Sequence, residues 1–446
     1  MASSADTAAV DSIPIEILTD DALLLIFSFL TVWDKGRVAC VCKKWWQLIC
    51  TSSLWKEIVA YSSGRLTVSR VEGLIDTYAD INTTRIYAHW ANMNILDKIN
   101  TRCPKLQDLE MAFAEEDNVE SLTFGNELKS LALYSPSMDG LDPKHTLCDI
   151  KSISGDGFHD LNIFTAQNFN VLLSNLSIQQ LGFSQVLHTI HLISCNVSND
   201  FIDMVEKSAS TLTQLVFQSC MFESQLSLAS LIHDCAQACK NLESFYFSSP
   251  LLRYVGTSDD EHTFAEEAFQ ILISSNKNMQ HLQVHLPRIS IDLIRTVASS
   301  LLQDLTLQDC YYADEILNEI GWSLVKLKSL TLSFTLYDSL VFDGKNVETE
   351  FTNRGLEGLS QNQSIETLRI FPVSDKITCT GIVRAALSMS KLTKLVISHC
   401  NAEYKYDKNM HTYDSLDKRI KKFRSDVEVY VDIHPDAKKI SAIWFY

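Results

Sequence analysis

The chain has 446 residues, 38 basic against 55 acidic, and a formal net charge of −17. That balance argues against a protein whose task is gripping nucleic-acid phosphates, which needs clustered Lys and Arg. Hydrophobic residues at 46% and charged residues at 21% describe a folded, not a disordered, chain. Residues 1–12 carry neither a basic start nor an apolar run, so they read as a disordered leader and not a secretory signal. The longest apolar stretch, Ala22 to Leu30, is interrupted by Ser28 and is far short of the ~20 residues that cross a bilayer. No membrane partner is expected. The twelve cysteines are irregularly spaced and read as reduced, mostly buried thiols, with no metal set and no cofactor implied.

Residues 13–60 predict a small all-helical unit. Leu23, Ile26, Phe27 and Leu30 follow the i, i+3, i+4, i+7 spacing of one helix face, with Thr19 or Asp20 as N-cap. Asp34 is expected to cap a second helix carrying Val38, Val41, Cys42, Trp45, Leu48 and Ile49. Ser52 or Ser53 would open a last turn holding Leu54 and Trp55. So many large apolar residues in 48 positions exceed what so small a core can cover, so part of them should meet a partner.

The segment resembles an F-box. Leu18, the run Ile26-Phe27-Ser28-Phe29-Leu30, Asp34, Val38, Val41 to Trp45, Leu48 and Leu54-Trp55 carry the resemblance. Two positions depart from it. Thr19 stands where the family usually has Pro, and Gly36 where an apolar residue is common. The resemblance implies docking to a Skp-family adaptor through Leu18, Ile26, Phe27, Leu30, Val41, Trp45, Leu54 and Trp55. Acidic and basic residues balance in the segment, five of each, so docking would rest on apolar burial.

From about residue 80 the pattern apolar-x-x-apolar-x-apolar recurs. Copies include Leu106/Leu109/Met111, Leu128/Leu131/Leu133, Leu187/Ile190/Leu192, Leu212/Leu215/Phe217, Leu242/Phe245/Phe247 and Met279/Leu282/Val284. The series continues at Leu302/Leu305/Leu307, Leu327/Leu330/Leu332, Ile365/Leu368/Ile370 and Leu392/Leu395/Ile397, with a degenerate copy at Ile81/Thr84/Ile86. The closing apolar pair has strand period, and the stretches between have helical period, as in Ile291, Ile294 and Val297. Cys195, Cys220, Cys310 and Cys400 each follow the last apolar residue by three positions. This is similar to the cysteine-containing class of leucine-rich repeats. It implies an α/β solenoid over residues 61–402, a curved horseshoe with parallel strands on its concave face. Between Leu133 and Leu187 only Leu147/Ile150 suggests a further copy. Insertions at 252–263 and 337–353, and the acidic runs at Glu115 and Asp259, read as loops.

Residues alternating with the buried strand positions would face outward on the concave wall. They include His191, Val216, Gln218, Tyr246, Gln283, His285, Thr306, Gln308, Thr331, Arg369 and Val396. With Arg369 as the sole central arginine, phosphate-dependent recognition is disfavoured. Residues 403–446, with the basic run Lys418 to Arg424, are expected to cap the array.

No phosphate-cradling glycine loop, G-x-S-x-G elbow or HExxH is present, which argues against an enzyme. The combined resemblance implies a substrate receptor of a Skp–cullin–F-box ubiquitin ligase. The cullin would be an indirect partner and the substrate an unidentified protein. The cytoplasm is the expected compartment, with nuclear import through the basic run as an alternative. Other readings are a scaffold acting outside ubiquitination and a repeat-based enzyme or ligand sensor. The repeat region, with 24 basic and 40 acidic residues, carries −16 of the total charge, which favours a neutral or basic protein segment as its partner.

Overall fold

The structure is a computed structural model. It describes Ile15, 18–61, 67–113, 121–124, 128–135, 148–150, 152–154, 161–171, 186–198, 201–222, 228–248, 259–286, 289–308, 310, 313–333, 341–342, 345–346, 351–371, 376–400 and 416–434. The leader 1–12 lies outside the described residues, as do Glu115 to Asp117.

The chain opens with three short helices: α1 (Asp20–Ser28), α2 (Val32–Ala39) and α3 (Lys43–Ile49). Thr19 caps α1 by accepting from the Ala22 N–H at 3.3 Å. One helix was expected where α2 and α3 stand. The break falls at Cys40 to Cys42, and the start lies at Thr31, whose hydroxyl accepts from the Asp34 N–H and donates to the Asp34 carboxylate. Asp34 is therefore the third helical residue, whose N–H the Thr31 cap satisfies, and not the cap itself. Cys42 caps α3 through its sulfur. A 3-10 turn, Ser52–Trp55, follows. The Trp55 indole N–H donates to the Ile49 carbonyl at 2.6 Å, and its ring stacks on Tyr78 at 3.8 Å between centroids.

Fourteen strands form one open sheet whose spatial order is the chain order. They are β1 (Glu57–Ala60), β2 (Arg85–Ala91), β3 (Asp108–Phe113), β4 (Ser130–Tyr134), β5 (Ile163–Gln167), β6 (Thr189–Ile193) and β7 (Gln214–Gln218). The series continues with β8 (Ser244–Phe247), β9 (His281–Val284), β10 (Asp304–Gln308), β11 (Ser329–Ser333), β12 (Thr367–Phe371), β13 (Lys394–Cys400) and β14 (Glu428–His434). Every neighbouring pair is parallel, so each connection must cross back, and most described connections carry a helix. The apolar strand positions and the helix faces share one continuous core running the length of the array. No unit buries its own apolar face without its neighbours.

Three sequence expectations change. The missing copy is Leu161/Phe164/Ala166 on β5, whereas Ile150 lies on a short strand, Cys148–Ile150, of a separate four-stranded sheet. A small residue, Ala166, stands where a large one marks the other copies, which hid the pattern. Asp259 to Glu261 form the first turn of the helix Asp259–Ser275 and not a loop. Strand pairing also continues beyond residue 402, because β14 adds to the edge of β13. At the other edge β1 starts at Glu57, inside the segment read as helical, so the two regions are joined without a linker. Residues 341–342 and 345–346 pair as a short antiparallel hairpin within the second insertion; most of the first, up to residue 258, lies outside the described residues.

The turns after β5, β6 and β7 repeat one device. Asn168, Ser194 and Ser219 adopt φ of 60°, 50° and 54°, turning the chain into the short strands of the second sheet. Cys195 and Cys220 follow and donate their thiols to the Ala166 and Leu192 carbonyls of the preceding strand, both at 3.3 Å. Cys310 does the same to Val284 at 3.2 Å. Burial raises the Cys195 thiol pKa to about 11 and pushes that of Cys220 well above the usual range. All three cysteines are buried rungs between units, and the thiols of Cys195 and Cys220 stay protonated. The side chain of Cys400, on β13, lies outside the described residues.

Buried amides tie units together as well. Asn276 accepts from the Leu242 N–H and donates to the Cys239 and Leu272 carbonyls. Asn362 donates to Leu324 at 2.8 Å. The last described unit is held by Arg424, which donates to the Met389, Ser390 and Leu392 carbonyls.

Candidate functional site

Two surfaces stand out, one on the helical unit and one on the sheet. In the helical unit, α1 packs on α3 with Phe27 edge-on to Trp45 at 5.3 Å between centroids. Leu23, Phe27, Leu48, Ile49, Leu54 and Trp55 are buried in the chain's own core. The eight residues expected to meet an adaptor therefore divide. Phe27 is 2% exposed, Leu54 5% and Trp55 1%, so these three pack within the chain's own core. Leu18, Leu30 and Trp45 are half-buried against the core. Ile26 and Val41 are exposed.

Leu25, Phe29, Trp33 and Trp46 are exposed apolar residues that the helix-face reading passed over. Phe29 is 82% exposed. The signal was present: apolar residues run unbroken from Leu23 to Phe27 and resume at Phe29, more than a one-sided helix needs. Leu25 and Phe29 are four apart and so share the outer side of α1. Phe29 and Trp33 also border a groove of about 620 Å³ whose far wall is Leu54, Glu57, Val59 and Tyr61. Lys35 lies in its floor, donating to the Leu54 carbonyl at 2.8 Å and sitting 5.0 Å from the Trp55 ring. Burial pushes the Lys35 pKa down, and the charge of Glu57 partly restores it.

On the sheet, register aligns one row of side chains across every strand. It runs Val59, Tyr87, Glu110, Ala132, Thr165, His191, Val216, Tyr246, Gln283, Thr306, Thr331, Arg369, Val396, Tyr430. His191, Tyr246, Thr306, Thr331 and Arg369 are half-buried members of that row. Gln218, two positions beyond Val216, is half-buried. Gln283, His285 and Gln308 depart from the expectation of outward, available residues. They are 6%, 2% and 6% exposed. Gln283 donates to the Gln308 carbonyl oxygen at 2.5 Å, which spends one amide on the other. Val216 and Val396 are buried too.

The flanking row holds charged pairs. The Arg85 guanidinium lies 2.9 Å from the Asp108 carboxylate, and His281 Nδ1 lies 2.5 Å from Asp304. Arg369 donates to the Ser329 hydroxyl at 3.2 Å. Burial lowers the His191 pKa, so this imidazole is neutral near pH 7. Burial raises the Tyr246 pKa, and the charge of Asp304 adds to it. Among the described residues, no group of three or more His, Cys, Asp or Glu could hold a metal ion, and no helix is long and apolar enough to cross a membrane.

Among solved structures, a TLR13 complex with single-stranded RNA matches at 13% identity and a TM-score of 0.33. That match covers 77% of this chain and 55% of the other, so this chain spans about half the length of the one it matches. Comparison with curated proteins gives no match. Residues 11–60 match the F-box-like family model, which supports an F-box protein, of a kind that typically binds a Skp-type adaptor and does no chemistry itself.

Proposed function

We propose that the chain is the substrate-recognition subunit of a Skp–cullin–F-box ubiquitin ligase. In this reading the helical unit docks to the Skp adaptor through the exposed apolar side chains of α1 and α3. Ile26 and Val41 take part, joined by Leu25, Phe29 and Trp46, while Leu18, Leu30 and Trp45 border the contact. The strand–helix units are leucine-rich repeats of the cysteine class, and the aligned row from His191 to Arg369 contacts a protein substrate. The observation that carries the reading is the F-box-like match at residues 11–60, continuous with an open parallel sheet of fourteen strands.

The chemistry is positional. The receptor holds a substrate lysine near a ubiquitin-charged enzyme and so raises its effective concentration. Arg369 is the one arginine on the row, which fits an unmodified protein segment better than a phosphorylated motif, since the latter calls for an arginine cluster. In this reading the protein works in the cytoplasm, with nuclear entry through the basic run Lys418 to Arg424 as the alternative; Arg424 of that run is engaged in the fold.

Affinity purification of the full chain under proteasome inhibition tests the reading, with a second sample lacking 13–60. Recovery of Skp adaptor and cullin, both lost with the deletion, is the expected result. Recovery of the adaptor without cullin favours a scaffold acting outside ubiquitination. Failure to recover the adaptor, with Ile26→Asp and Trp45→Ala indistinguishable from wild type, overturns both.

A further inference from the structure

The first strands of the sheet gather aromatic rings and carboxylates at one place. Tyr61, just past β1, stands 6.2 Å from Tyr87 and 4.9 Å from His89, ring centroid to ring centroid, edge-on to the imidazole. His89 Nε2 lies 3.4 Å from Glu110 Oε1. Tyr61 is 46% exposed, and Tyr87, His89 and Glu110 are half-buried beside it. Glu110 neighbours Tyr87 directly in the strand register, and Glu57 lies diagonally across from it. Tyr61 is also a wall of the 620 Å³ groove beside Phe29 and Trp33, so the cluster borders a recess at the sheet edge.

Carboxylates outweigh cations around the phenols, although Lys56 lines the groove and Arg85 acts on Tyr87 in the opposite sense. Arg85 is paired with Asp108, and Lys35 is committed to the Leu54 carbonyl and the Trp55 ring. Glu110 lies beside the His89 ring, and Glu57 is exposed. Burial raises the pKa of both phenols, and the charges of Glu110 and Glu57 push in the same direction. A region that opposes a further negative charge favours a positive one.

Aromatic faces with acceptor-only carboxylates are the combination that recognises an ammonium or guanidinium group. We propose that Tyr61, Tyr87, His89 and Glu110 form a seat for a basic side chain, an arginine or lysine, presented by a protein bound along the sheet. This rests on the reading of the sheet as the substrate-binding face, and it adds the chemistry of one position on that substrate. The seat lies at the end of the row nearest the helical unit, so the basic residue is held at the adaptor-proximal end of the bound segment.

The test is saturation-transfer NMR on the full chain with three blocked tripeptides: acetyl-Gly-Arg-Gly-amide, its lysine analogue and its citrulline analogue. A cationic peptide should give transfer to its side chain, and citrulline, of like shape and no charge, about five-fold less or lower. Glu110→Gln and Tyr61→Ala should each cut the cationic signal by about five-fold, whereas Tyr61→Phe, which keeps the ring, should retain it. Arg384→Gln, an exposed position on the helix Cys379–Ser388 and outside the row, should leave it unchanged. Equal transfer from citrulline, no transfer from either cationic peptide, or indifference to both Glu110→Gln and Tyr61→Ala overturns the proposal. Should Glu110→Gln lose its circular-dichroism spectrum, the exposed Tyr61 decides alone. Adaptor binding, measured on the same samples, separates the two readings: its absence with an intact peptide signal sinks the ligase subunit and leaves the seat.

Discussion

Phe29 gives the sharpest separation between docking and folding. Its side chain is 82% exposed, whereas Phe27, two residues earlier on the same helix, is 2% exposed. Fully burying a phenylalanine is worth roughly 1.5–3 kcal/mol, so the part of Phe29 left for a partner to cover is worth about 1.2–2.5 kcal/mol. At 1.4 kcal/mol per decade, Phe29→Ala should weaken adaptor binding by about 7- to 60-fold. The folded chain should hardly notice, since the ring makes few contacts within it. Phe27→Ala should do the reverse, removing a buried ring against Trp45 and costing about 3–5 kcal/mol of stability. Isothermal titration calorimetry with purified Skp adaptor reads the first effect, and a thermal melt of the same samples reads the second. Wild-type affinity for Phe29→Ala at unchanged melting temperature would refute the assignment of the outer side of α1 to docking. A collapse in stability for Phe29→Ala would refute the burial argument itself.

Other substitutions probe the scaffold. Gly36 sits mid-helix in α2 with nothing within 4 Å of a Cβ added there, so Gly36→Ala should stabilise the chain by about 0.5–1 kcal/mol in urea melts. Asn276→Ala strands the buried Leu242 N–H and Cys239 carbonyl, and at about 1–3 kcal/mol for each unsatisfied group it should rank among the most damaging polar changes. Gly321→Ala drives a methyl to 2.1 Å from the Gly358 carbonyl oxygen, backbone that cannot swing aside, and should lower the melting temperature through a loss of about 1–3 kcal/mol. His191 has a folded pKa below its unfolded value, so the unfolded chain binds its proton first as pH falls. Stability should therefore drop from about pH 6.5 downward, through the folded pKa, and His191→Gln should flatten that part of the urea-midpoint profile.

The sequence by itself determined the unit. The apolar-x-x-apolar-x-apolar spacing places Leu305 and Leu307, or Leu330 and Leu332, on one side of a strand because side chains alternate, and those residues are buried. It likewise located the first helix, left its cap between Thr19 and Asp20, of which the structure takes Thr19, and marked the cysteines that hydrogen-bond to the strand before them. The copy on β5 escaped because Ala166 satisfies the core with a side chain too small to mark a period. The strand β14 escaped because its alternation stands apart from the repeat spacing, and only pairing with β13 makes it part of the sheet. The candidate surfaces were half legible. Periodicity says which side of a strand a residue takes, and it correctly aligned His191, Tyr246 and Arg369 on one row. It does not say whether neighbouring strands leave that side open. Gln283 and Gln308 close over each other across adjacent strands, a contact between residues 25 apart that no local pattern encodes. The same holds in the helical unit, where Phe27 and Phe29 are equally apolar in sequence and only the packing of α1 against α3 turns one inward and leaves the other for a partner. The meeting of Tyr61, Tyr87, His89 and Glu110 is likewise a product of strand register, which brings together residues that the chain separates.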